Sequence, residues 1–273
     1  MTTSTTRARR GLAMILAVGT AAAAIAGCAP SRASTAENGD QTVLGDTVAL
    51  GLGMMKPYVT TDKSGNPTEV GVRFSAVSLD GLPQGDTPTH WMVTFPEEAG
   101  KTVVKNAMVS WYPKGRKPAE IFGEPQIAFH FYTIDGNEAM TSIDPKGHPD
   151  QARHLLDPKY VATDYIAEPG DPVEKTVPAM GLHWLDSKRE FGPGKSEFAE
   201  VFVHGSWDGK QIFLEPLATR KFLLTKPNIN APVKQPSAVQ STGYYPTDYT
   251  IRYDQPTNEY VVAIGKMIPR QAS

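Results

Sequence analysis

Cysteine is almost absent. Cys28 is the only one in 273 residues, so no disulfide can close within the chain. Basic charge is not in excess either: 27 Lys+Arg stand against 29 Asp+Glu. A nucleic-acid binder normally carries a basic field, so no nucleic-acid partner is expected. After residue 27 no apolar run approaches the length of a membrane span. Helical periodicity is scarce. The chain also lacks a Gly-x-Ser-x-Gly elbow, a His-Glu-x-x-His helix, a phosphate-binding loop and a Ser-x-x-Lys pair. "GLGMMK" has no third glycine and no following helix, and reads as the opening of a strand.

What is present begins at the front. Arg7, Arg9 and Arg10 form a basic region without acidic residues, and an alanine-rich apolar run fills 11–27. That is the order of a secretory signal. The run is short and dilute for an uncleaved transmembrane anchor. Arg9-Arg10 has poor flanks for twin-arginine export, which leaves general secretion. "IAGC", ending at Cys28, resembles the lipobox of bacterial lipoproteins. The resemblance implies cleavage before Cys28, a diacylglyceryl group on its sulfur and an acylated amino terminus, palmitate-type chains among them. A lipidated sulfur cannot serve as a nucleophile. Each buried methylene contributes about 0.8 kcal/mol, so two or more chains hold a protein stably at a bilayer. The expected location is the cell envelope, on the extracytoplasmic face of a bacterial membrane. Losing residues 1–27 removes three of the 27 basic residues and none of the 29 acidic ones, moving the net charge from −2 to −5.

Three segments follow: a signal peptide (1–27), a lipidated flexible tether (28–42), and a β-rich globular region (43–273). The tether is small, polar and aperiodic, and its residues reach roughly 50 Å when extended. In the globular region Val70, Val72 and Phe74 alternate with polar or small neighbours, a half-buried strand pattern. Asp208-Gly209 supplies the positive φ values of a tight hairpin turn. A second hairpin turns near 254–258. Short helices are expected at 137–142, 149–156 and 218–224. The 23 prolines and 24 glycines fit many turns. The fold class is therefore mainly β, α+β with few short helices, as an antiparallel sandwich or barrel. Loops concentrate at 145–177, where a seam between two lobes is expected.

The stretch 125–132, "PQIAFHFY", carries the candidate site. As a strand it places Ile127, Phe129 and Phe131 on one face, and Gln126, Ala128, His130 and Tyr132 on the other. The aromatic face reads as core, so His130 points away from it. The order "WYPKGRKP…PQIAFHFY", "VPAMGLHW", "HGSWDGKQIFLEPL" resembles a family of exported bacterial proteins of unknown function, over most of the chain from about Gly51. That family's strand reads Pro-His-Phe-Asp-Phe-His-Phe-Tyr, and the resemblance implies a polar strand face suited to a transition metal. Here two of those positions hold Gln126 and Ala128, and an upstream family histidine falls near Arg116, whose charge repels a cation. His183 in "MGLHW" and Glu215 in "FLEPL" (an EPM-type motif in the family) remain. With His130 they form a two-histidine, one-carboxylate set.

Two readings stay open. One is a non-catalytic lipoprotein, a binding, sensing or scaffolding module with no cofactor. Its His130 is satisfied by a backbone or carboxylate partner, and no catalytic residue is assigned. The other is a metal-binding protein or metal-dependent enzyme holding a divalent transition metal on His130, His183 and Glu215. Tyr132 and Trp184 are candidate binding residues, because Trp111, Trp184 and Trp207 with Tyr112 and Tyr132 form either a cleft or core. His204 reads as solvated or cross-strand. Edge strands leave room for a homo-oligomer; a protein or small-molecule ligand is not named by the sequence.

Overall fold

The computed structural model describes Met1, residues 32–35, 39–192 and 194–273. Cys28 and the rest of the segment expected to be a signal peptide and lipid anchor lie outside the described residues. The chain lays down one sheet, leaves it to build a second, and then returns. The first sheet opens with β1 (Arg32–Thr35), β2 (Gln41–Leu44), β3 (Val48–Leu50), β4 (Gly53–Thr61) and β5 (Pro67–Ser75). The second sheet is formed by β6 (Thr89–Thr94), β7 (Asn106–Tyr112), β8 (Gln126–Tyr132), β9 (Tyr165–Ala167), β10 (Leu182–Asp186), β11 (Glu200–Trp207) and β12 (Lys210–Thr219). The return brings β13 (Asn228–Pro232), β14 (Gly243–Tyr245), β15 (Asp248–Asp254), β16 (Glu259–Gly265) and β17 (Ile268–Arg270).

Strand order is β1-β2-β4-β5-β16-β15-β13 in the first sheet, with β3 beside β4, and β6-β7-β8-β12-β11-β10-β9 in the second. β14 and β17 form a separate pair. All named strand pairs are antiparallel. The fold is thus the expected mainly-β class, a sandwich. The stretch read as a tether is in part strand: β1 pairs with β2, which begins at Gln41.

Alternation explains how the sheets meet. Val72 and Phe74 of β5, Val262 and Ile264 of β16, and Ile127, Phe129 and Phe131 of β8 share one core. Phe74 and Phe129 stack across it at 5.8 Å between ring centroids. Because early β5 is hydrogen-bonded to late β16, the two ends of the chain are stitched into one sheet. No seam at 145–177 divides this core. Residues there help to cover the outer face of the second sheet instead: Ala152 packs with Met180 and Trp207.

That cover changes the environment of β8. A sandwich strand usually has one wet face, yet all seven residues of β8 are buried. Short helices account for the outer layer: α1 (Ala119–Phe122), α2 (Gly136–Ser142), α3 (Pro149–Arg153) and α4 (Pro172–Lys175), with α5 (Arg220–Leu224) following β12. Asp135 caps α2, accepting from the backbone N–H of Asn137 and Glu138. The expected helix at 218–224 starts later, since Ala218 and Thr219 still belong to β12. Asp208 and Gly209 have φ of 48° and 67° and close the β11–β12 hairpin. Among the described residues no helix is long and apolar enough to cross a membrane.

Candidate metal centre and cavity

Three strands deliver the candidate residues to the outer face of the second sheet. β8 pairs with β12 so that Leu214 opposes Phe131 and Leu217 opposes Ala128, which puts Glu215 next to His130. His183 arrives from β10, one strand beyond β11, where it opposes Gly205. Gly205 in turn opposes Phe213 of β12. A side chain at 205 would run into the Phe213 ring. Glycine there lets Phe213 lie over the sheet, with its ring edge-on to His130 at 5.0 Å and to His183 at 5.4 Å. One missing side chain thus shapes the floor of the site.

The three predicted ligands come together. One ligand atom from each of His130, His183 and Glu215 lies within 4.8 Å of the others. Nε2 of His130 is 3.6 Å from Glu215 Oε1, and Nε2 of His183 is 3.6 Å from Glu215 Oε2. Glu215 and His130 are fully buried and His183 nearly so. Two ligand atoms held about 2.1 Å from one tetrahedral ion stand about 3.4 Å apart, so both pairs are close to ligating separation.

Proton placement sharpens the geometry. Nδ1 of His130 faces the Met108 carbonyl at 3.4 Å. A carbonyl only accepts, so Nδ1 carries the hydrogen and Nε2 keeps its lone pair. At His183 the Gly181 backbone favours the charged ring, a smaller effect than burial. Burial, and then the nearby Arg116 charge, hold His130 well below the ordinary histidine range. Burial pushes His183 down to about 4, although the Glu215 charge works the other way. Both imidazoles are neutral at pH 7, and the Nε2 lone pair of His130 faces Glu215. Neither Nε2 nor Glu215 Oε2 has a hydrogen-bond partner among the described residues. A buried unsatisfied polar atom costs about 1–3 kcal/mol. Backbone bonds that orient each ring for ligation are the usual supports of metal-binding histidines.

Arg116 has a role that its sequence position did not reveal. It was expected only to repel a cation. In the fold its Nη2 donates to Glu215 Oε1 at 2.8 Å, and its guanidinium lies over the Tyr112 ring at 4.3 Å. Arg116 and His183 also line a cavity of about 690 Å³, with Tyr112, Gln126, Met180 and Leu217 among its walls. Gln126 is fully buried; its amide N–H donates to the Phe122 carbonyl at 2.7 Å, while Oε1 has no partner among the described residues.

The remaining candidates fall elsewhere. Tyr132 packs in the outer layer and donates its hydroxyl to the Ala179 carbonyl at 2.9 Å. Trp184 faces the other way from His183, joins Leu156 and Tyr165, and donates Nε1 to Ser206 Oγ at 2.7 Å. Trp111 is in the core between the sheets. The aromatics therefore do not gather into one cleft; Tyr112 alone of them lines the cavity. Ala128 is packing. His204 is not solvated: it is buried, pairs with Gln211 of β12 at 2.9 Å, and burial pushes it down to about 3.

Residues 62–111 are similar to the TTHB210-like family, described as hypothetical protein TTHB210, which is uncharacterised. The match runs from the β4–β5 turn through β7 and ends before Arg116, His130, His183 and Glu215. No curated protein and no solved structure matches the chain.

Proposed function

We propose that this chain is a lipid-anchored binding protein of the bacterial cell envelope, whose cavity ends on a divalent transition-metal centre formed by His130, His183 and Glu215. The carrying observation is the convergence of His130, His183 and Glu215, of which both Nε2 atoms and Glu215 Oε2 are buried without a hydrogen-bond partner among the described residues. Imidazole and carboxylate together suit zinc or iron, and three protein ligands leave a coordination position toward the cavity. A metal there supplies an electrophilic centre. The protein's own part is to orient the rings, exclude water from one side through Phe213, and offer a walled space. Anchoring through Cys28 rests on the lipobox and places the body outside the cytosol. The exported-family resemblance seen in the motifs beyond residue 111 belongs to the same reading.

A second reading rests on a different observation, the 2.8 Å pair of Arg116 with Glu215. In it the guanidinium is the standing counter-ion, no metal binds, and the cavity serves a non-catalytic binding or sensing module. Elemental analysis of the purified mature protein separates the two. Stoichiometric metal that is lost on His130→Ala, with a Co2+ absorption band of tetrahedral intensity in the parent, supports the metal centre. Metal-free protein that takes up neither Zn2+ nor Co2+ rejects it.

A further inference from the structure

The charges around the site do not close with a metal alone. Glu215 is the only anionic ligand of the set, and its negative charge is already shared with Arg116. Ligating histidines are neutral. A dication would therefore leave about two positive charges uncompensated in a buried place, which is costly unless an anion joins it. Arg116 has a further donor to offer: its Nε–H is buried and without a partner among the described residues. Planar guanidinium groups favour carboxylates and related oxyanions.

The cavity continues this pattern. Arg116, Lys117 and His183 lie on its lining, while Lys175, also on the lining, is engaged by Glu168 at 2.9 Å. Glu168 and Glu174 complete the charged residues there. Phe122, Met180, Val201, Val203 and Leu217 supply apolar wall.

We propose, resting on the metal reading above, that the cavity ligand is a small organic carboxylate seated between the metal and Arg116, with an apolar body against the far wall. Metal and carboxylate then bind each other's site cooperatively, because each neutralises the other. By linkage the factor is the same in both directions.

Zn2+ titration of the chelator-treated mature protein, with and without benzoate, tests this directly. The expected result is Zn2+ affinity at least about tenfold tighter with benzoate. The benzoate effect falls below about twofold in Arg116→Gln, while zinc alone still binds. Wild-type protein loaded with Co2+ gives a readout that no variant is needed for: benzoate should shift the visible band. Zinc uptake indifferent to benzoate, with an unmoved Co2+ band, overturns this inference and leaves the metal centre standing. No zinc uptake under either condition overturns both. Benzoate coupling that persists in Arg116→Gln also rejects the assigned seat.

Discussion

Arg116 Nη2 lies 2.8 Å from Glu215 Oε1, and the Glu215 side chain has no exposed surface while that of Arg116 keeps 23 %. The pair spans 99 residues of sequence and ties the loop after β7 to the centre of the second sheet. It makes one carboxylate answer to two demands, an internal cation on Oε1 and two imidazole lone pairs nearby.

Removing the guanidinium should leave Glu215 as a buried, uncompensated charge. Arg116→Met is expected to lower stability in chelator by about 3 kcal/mol, read from urea unfolding at pH 7. Zinc should then restore more stability to the variant than it adds to the parent. At a hundredfold excess over Kd that gain is about 2.7 kcal/mol. A variant as stable as the parent without metal would show that the pair carries no burden.

Buried neutral histidines set the acid limit. His183 is pushed down to about 4 and His204 to about 3, from an ordinary 6.5, with burial the leading cause in both. Between about 6.5 and 4 for His183, and down to about 3 for His204, the unfolded chain binds protons that the native one refuses, so stability falls as pH drops through that window and these groups add no slope above it. His204→Gln in metal-free buffer should make the fall shallower by at most about 1.4 kcal/mol per pH unit. Urea midpoints at half-unit steps measure it; an unchanged slope would contradict the buried neutral state.

Gly205 is a steric requirement of the site. Gly205→Ala places a methyl group against the Phe213 ring and should cost about 1–3 kcal/mol through overpacking. Phe213 must move, so Co2+ affinity should fall with it. Gly100→Ala, where nothing lies within 4 Å of the new atom, is the control and should leave both quantities within error.

Anchoring is tested at Cys28. Cys28→Ser should abolish labelling by a fatty-acid probe and release the protein from membranes. A variant still labelled would locate the lipid elsewhere.

Much of this architecture was legible beforehand because strand alternation is a local property. Ile127, Phe129 and Phe131 read as core and are core; Asp208-Gly209 read as a turn and carries the positive φ pair. His130 was correctly placed on the opposite face. What alternation cannot show is whether that second face is wet. For β8 it is dry, since the helices and loops between β8 and β11 fold over it, and for the same reason the loop-rich 145–177 region covers a sheet where a seam between lobes was expected. His204 has the cross-strand partner that was one of its two expectations, Gln211 of β12, but it is not solvated, because its cover, including Tyr165 at 4.5 Å between rings, comes from a distant segment.

By itself the sequence carried the β class, through period-two alternation, and a lipobox-like motif ending at Cys28, while His183 and Glu215 joined His130 as candidate ligands through the family resemblance. Only the tertiary structure decided that His130, His183 and Glu215 meet, that Gly205 makes their floor and that Arg116 reaches the same carboxylate. Each of those contacts joins strands or loops far apart in the chain, and such pairings follow from sheet register and packing, which no short window of residues contains.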